Sequence, residues 1–298
     1  MKDQVKIRLN ALLKITMKDL VKIKMKDKDG LEMVKLDMVK VIIFDLDDTL
    51  LWDAKSVKEA FVLTCKEAQK KYDLDAEKLE NAVRESARQL YASYAFYPFT
   101  QMIGINPFEG LWGDFTDIHH ASFRQMHETV PSYRAEAWTK GLAALGIDDP
   151  ELGSRLGELF PVMRRQNAFV YEDTFKVLDR LRGKYRLLLL TNGAPSLQNE
   201  KLAMTPELIP YFEQMIISGA FGRGKPDPSI FEHALFLMRV AKEEALMVGD
   251  NLKTDILGAN RTGIKNVWIN REGQTPHDDI QPTLEIKALS ELPGLLTI

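Results

Sequence analysis

The chain has 298 residues, 45% hydrophobic and 28% charged, enough for a large core and two folding units. No run approaches the roughly 20 apolar residues that cross a bilayer, and a net charge of -3 advertises no nucleic-acid surface. A single cysteine, Cys65, excludes an intramolecular disulfide framework and a thiolate metal cluster, so a reducing cytoplasm is expected, with no membrane and no nucleic-acid partner.

Residues 1–38 read differently from the rest. MKD recurs at Met1, Met17 and Met25, and ten Lys/Arg face six Asp/Glu, which gives +4 here and -7 for the remainder. Val5, Leu9, Leu12 and Leu13 have helical spacing, so a basic amphipathic helix on a membrane or partner is one reading. The other, which we favour, is a loosely ordered low-complexity extension or translated sequence ahead of a start near Met38. The N-terminus lacks the apolar core and small-residue cleavage site of a secretory signal.

The ordered part begins at Val41–Phe44, a short apolar run that ends in acids, as a buried parallel strand does. Helices follow near 54–71, 75–96, 115–128, 132–145 and 150–167, and Val57, Phe61, Thr64 and Ala68 share one face. Between the second and third lies a long loop rich in aromatics, Pro and Gly, from Tyr97 to Trp112, suited to lining a chamber or to packing between helices. From Tyr171 onward the pattern alternates. Helices at 171–182, 196–203, 228–240 and 253–261 intervene among strands at 187–190, 215–217, 245–248 and 267–269. The fold class expected is α/β, a doubly wound, Rossmann-like parallel sheet over 39–53 and 170–298 with an all-helical domain inserted over 54–169.

Chemistry concentrates in Asp45-Leu46-Asp47-Asp48-Thr49, at the carboxyl end of the first strand, where open α/β sheets bind ligands. Three carboxylates in four positions repel unless a cation compensates, and hard oxygens of this kind suit Mg²⁺. An acidic turn capping a helix is the plainer alternative. Three further segments follow: Thr191-Asn192-Gly193 after the second strand, Lys225 in Gly224-Lys225-Pro226-Asp227, and Gly249-Asp250-Asn251 with Asp255 after the fourth. Gly222 to Lys225 is not a nucleotide-binding P-loop, because no Ser/Thr follows and Pro226 interrupts helix entry.

In order and at strand ends, these segments resemble the four motifs of the haloacid dehalogenase superfamily, the first of which reads D-x-D-x-T. The resemblance covers roughly Val39 to Asn270. It implies that Asp45 is a nucleophile forming an aspartyl-phosphate and that Asp47 is the acid–base residue. It further implies that Asp45, the Asp47 carbonyl and Asp250 hold Mg²⁺, with Asp255 orienting that shell. Thr191, Asn192 and Lys225 would bind the phosphoryl oxygens. A long insertion between the first two motifs corresponds to the first (C1), helical type of cap, which implies a small-molecule phosphate ester as substrate and lid motion over it.

The reading is therefore a Mg²⁺-dependent phosphatase acting on a small phosphorylated metabolite, as a monomer or homodimer. A 2-haloacid dehalogenase, a phosphomutase and a catalytically silent phosphoryl-binding regulator are the alternatives, and Asp47, which dehalogenation does not need, favours the phosphatase. Asp48 is read equally as a turn acid or a functional one, and Trp52 as a hinge or substrate contact. His119, His120 and His127, placed on a helix, are read as surface or packing groups, and Cys65 as a buried inert thiol.

Overall fold

The computed structural model describes residues 36–275 and 279–296, so the reading of the N-terminal extension lies outside the described residues up to position 35. Strand β1 (Val41–Phe44) leads into helices α1 (Asp53–Gln69), α2 (Ala76–Ser93), α3 (Tyr97–Ile103), α4 (Pro107–Gly110), α5 (Ala121–Ala144) and α6 (Pro150–Gln166). The chain then runs through α7 (Thr174–Leu181), β2 (Arg186–Thr191), α8 (Pro195–Met204), β3 (Gln214–Ile217), α9 (Pro228–Met238) and β4 (Ala245–Gly249). A π-turn at Leu252–Ile256, α10 (Leu257–Thr262), β5 (Lys265–Ile269) and β6 (Leu284–Ile286) complete the path.

All six strands are parallel, in the order β3-β2-β1-β4-β5-β6. A parallel sheet needs cover on both faces, and the central strands are apolar throughout for that reason. Ile42, Phe44, Leu187, Leu189, Leu246 and Val248 pack on α7 through Val177, Leu178 and Leu181. Their neighbours Val41, Ile43, Leu188, Leu190, Ala245 and Met247 pack on α9 through Ile230, Phe231, Ala234 and Met238. Strand β6, absent from the sequence reading, has only three residues in a buried, exposed, buried pattern, too short to carry a periodic signal.

Register places the chemistry. Phe44 lies opposite both Leu189 and Val248, so Asp45, Thr191 and Asp250 emerge together at the carboxyl edge. Strand order reverses at β1, with β2 and β3 added on one side and β4 to β6 on the other, and this is the switch point at which such sheets form a crevice.

Helices α1 to α6 form a separate apolar cluster in which Phe61, Trp138 and Phe160 are mutually packed, with ring centroids 4.6 to 5.9 Å apart. The sequence suggested a break between 128 and 132, but α5 runs unbroken through Pro131. Proline removes only one intrahelical hydrogen bond there, and burial of Val130, Tyr133, Ala137 and Trp138 holds the helix on both sides of it. The expected loop from 97 to 112 contains α3 and α4, the latter started by a capping box in which Asn106 and Glu109 satisfy each other's backbone donors. Two antiparallel connections join insert and sheet: the Trp52 amide donates to the Phe169 carbonyl at 2.9 Å, and Trp52 stacks on Tyr171 with ring centroids 5.1 Å apart. Trp52 thus packs at the junction between the insert and the sheet.

Candidate active site

Asp45 is buried at the tip of β1. The Lys225 ammonium donates to its Oδ1 at 2.5 Å and to the Leu190 carbonyl at 2.8 Å, and lies 2.7 Å from Asp255 Oδ1. Burial opposes the charge on Lys225, yet Asp255 and Asp45 hold its pKa above the ordinary lysine value. Burial also pushes Asp45 up to about 6 against the pull of Lys225.

Thr49, quoted in the sequence motif without a role, donates to Asp250 Oδ1 at 3.2 Å and reaches Asp45 Oδ2 at 3.5 Å. Asp255 sits on the π-turn, a distortion frequent at functional sites, and its Oδ2 accepts the Asn251 amide at 3.1 Å. One oxygen each from Asp45, Asp250 and Asp255 lies within 4.8 Å of the others. Burial, then repulsion by Asp45 and Asp255, lifts Asp250 well above the usual carboxylate range. Three crowded carboxylates against one ammonium, all hard oxygen donors, fit a divalent cation. Asp255, expected behind the ligand shell, stands among the three.

Asp47 points the other way, toward α8. Its Oδ2 accepts from Lys201 at 2.8 Å and from Gln198 at 3.1 Å, while its Oδ1 is buried without a hydrogen-bond partner. Gln198 also donates to the Thr191 hydroxyl at 2.6 Å, which joins Thr191 to Asp47. The Asn192 side chain clamps the Lys225 backbone, accepting its amide at 2.8 Å and donating to its carbonyl at 2.9 Å. All seven residues singled out from the sequence therefore lie in one connected region.

The sequence reading missed a buried charge cluster around Lys201, whose Nζ lies 3.5 Å from Glu109 Oε1 and 3.8 Å from Asp53 Oδ1. Asp53 in turn pairs with the buried Arg164. Glu109 and Arg164 come from the insert, far from the motifs in sequence, whereas Asp53 opens α1 only four residues after Thr49. The only signal was the acid at the N3 position of the Asn106 capping box, which reads as a helix start and nothing more. The insert also touches the site through Gly104, where the backbone is left-handed (φ 78°) and an added Cβ would fall 2.3 Å from Asn192 Nδ2.

Asp48 adjoins the acidic cluster, and the histidines and Cys65 sit apart from it. Asp48, with φ 56°, accepts the Ala54 amide at 2.8 Å and is pushed up to about 7 by burial. His119 and His120 precede α5 instead of lying on a helix, and His120 caps it by accepting from the Ser122 amide. His127 lies on α5, with Nδ1 2.7 Å from the Asp114 carbonyl. Cys65 is buried, and desolvation pushes its thiol up to about 12.

A family model for haloacid dehalogenase-like hydrolases matches residues 39–263. The chain belongs to that family. It is 35% identical to a phosphoserine phosphatase of Thermus thermophilus over 211 residues, covering 70% of this chain and 82% of that one. It is 34% identical to the N-acylneuraminate-9-phosphatase of Mus musculus over 178 residues, covering 58% and 71%. Among solved structures, the HAD-hydrolase YfnB of Bacillus subtilis, bound to magnesium, superposes with a TM-score of 0.59 at 22% identity, covering 87% of this chain and 99% of that one, a likeness of fold. Within the family the chain is a phosphoric monoester hydrolase. Among the described residues no helix is long and apolar enough to cross a membrane.

Proposed function

We propose that this hydrolase releases inorganic phosphate from a small phosphorylated metabolite by way of an aspartyl-phosphate on Asp45, with Mg²⁺ as the cation. The observation that carries the reading is the convergence of Asp45, Asp250 and Asp255 beside Lys225 at the switch point of the sheet. Asp45 would attack phosphorus through a carboxylate oxygen while the ester P–O bond breaks. Asp47 would give its proton to the departing oxygen, then take one from the water that attacks the aspartyl-phosphate, releasing phosphate and restoring Asp45. Thr191, the Asn192 amide and Lys225 would face the phosphoryl oxygens, for which Lys225 would share the protons it now directs at Asp45 and Asp255. Bound Mg²⁺, on Asp45, the Asp47 carbonyl and Asp250 with Asp255 orienting them, would offset charge as an anionic nucleophile meets a phosphate. The insert over 54–169 would act as a cap that restricts the site to small esters.

The test is phosphate release from a panel including phosphoserine, N-acylneuraminate 9-phosphate and nucleoside monophosphates, with Mg²⁺ and with chelator. Release that requires the metal and vanishes in Asp45→Asn is expected. Halide release from 2-haloacids without metal, or ester binding without turnover, would overturn the reading.

A further inference from the structure

We propose that Lys201 is a positioning residue that fixes the Asp47 carboxylate for proton transfer, and that Glu109 of the helical insert completes its hold. The inference rests on the acid–base role given to Asp47 above and adds to it the residues that make the role possible.

Lys201 and Gln198 are three residues apart on α8, so their side chains leave the helix on one face. Both donate to the same atom, Asp47 Oδ2, at 2.8 and 3.1 Å. That fixes one oxygen and leaves the other, Oδ1, buried and without a protein partner. A buried oxygen with no partner is a costly arrangement, and it is the atom free to exchange a proton with a leaving group. If Oδ2 were not tied down, the carboxylate could rotate and take Oδ1 out of line.

A lysine whose side chain is only 2% exposed would ordinarily shed its charge. Burial does act against it, but Asp47, Asp53 and Glu109 around it hold its pKa above the ordinary lysine value. Of those three carboxylates, Glu109 belongs to α4 of the insert and Asp53 is the first residue of α1, at the point where the insert begins. Glu109 is itself anchored, since its second oxygen accepts the Asn106 amide at 3.0 Å, so α4 presents Oε1 to Lys201 from a fixed helix start. The acid–base group on the sheet side is therefore held by an ammonium that the insert keeps in place. Undocking the insert would remove Glu109 from Lys201, and the geometry of Asp47 would loosen with it.

A leaving-group series separates this role from a merely structural one. The value of kcat/KM reports steps up to P–O cleavage, and proton donation matters for phenyl phosphate but little for 2,4-dinitrophenyl phosphate, whose phenolate departs unaided. With Mg²⁺ present, Lys201→Met should lose about 10²-fold on phenyl phosphate and less than about threefold on the dinitrophenyl ester. Lys201→Arg and Glu109→Gln should show the same tilt with a loss of about tenfold on phenyl phosphate. The comparison between two substrates is made within one sample, so a partly unfolded preparation does not disturb it. If Lys201→Met is insoluble, the other two variants carry the test. Equal losses on both esters would overturn the proposal. Asp47→Asn is the reference: if it too is flat across the series, the acid–base assignment of Asp47 itself fails. A steep Asp47→Asn with a flat Lys201→Met refutes the positioning role alone.

Discussion

Two buried lysines, Lys225 and Lys201, each hold carboxylates together, yet they are assembled from different parts of the chain. Lys225 takes its partners, Asp45, Asp255 and the Leu190 carbonyl, from the ends of adjacent parallel strands and the turn after β4. Lys201 takes Asp47 from beyond the end of β1 and Asp53 from the start of α1, and draws Glu109 from the insert. The first cluster is placed by sheet register, and the insert touches it only indirectly, where the Gly224 amide beside Lys225 donates to the Met102 carbonyl at 2.9 Å. The second includes Glu109 only while insert and sheet are docked, so the two clusters differ in how directly they depend on that docking.

The most severe way to probe the first cluster is Asp45→Asn. It removes nucleophile and cation ligand together, so turnover should fall at least about 10⁴-fold while the fold survives, read by phosphate release and circular dichroism. Wild-type-like activity would remove Asp45 from the chemistry.

Metal-free protein offers a second probe of the same cluster. Burial raises Asp45 to about 6 and Asp48 to about 7 from 3.8, so the native state keeps protons that the unfolded chain has released. Stability is therefore greatest below about pH 4 as far as these groups go, and is lost as pH rises through about 6 to 7. Thermal melts should show Mg²⁺ raising the Tm more at about pH 7.5 than at about pH 5. A larger gain at the lower pH would contradict the crowding of carboxylates inferred for the site. Asp250→Asn should blunt that gain and raise the Tm of the metal-free protein, because it removes one of the mutually repelling charges.

Docking is probed by Gly104→Ala. The added methyl would strike Asn192 Nδ2 at 2.3 Å from a left-handed backbone, a conformation that costs a side chain about 1–2 kcal/mol. A loss of about tenfold in kcat/KM is expected, with the leaving-group tilt that marks a loosened Asp47. An unchanged profile would mean that the contact between α3 and the Asn192 loop is dispensable. The smallest effect belongs to His119→Ala, an exposed position, for which activity and metal response should stay within about twofold.

These contrasts follow the line between what was legible in the sequence and what was not. Asp45, Thr191 and Asp250 stand immediately after apolar runs, and a run buried on both faces is recognisable without neighbours. The five longer strands and the switch from strand to helix rhythm were readable for the same reason. Pro131 misled because a helix packed on both sides tolerates the loss of one hydrogen bond, and β6 was too short to show a period. Lys201, Glu109, Asp53 and Arg164 carried no local signal, since a lysine on a helix or an acid in its first turn has the same sequence neighbours whether it is solvated or buried.

The sequence by itself determined the parallel α/β sheet, the helical insertion and the residues at the strand ends, because local apolar periodicity and chain direction specify those features. Only the tertiary structure decided which way Asp47 faces, that Asp255 stands beside Asp45 and Asp250, and that Lys201 is buried among Asp47, Asp53 and Glu109. Those outcomes depend on charges brought together across long stretches of chain, where burial strengthens every interaction and no spacing rule announces it.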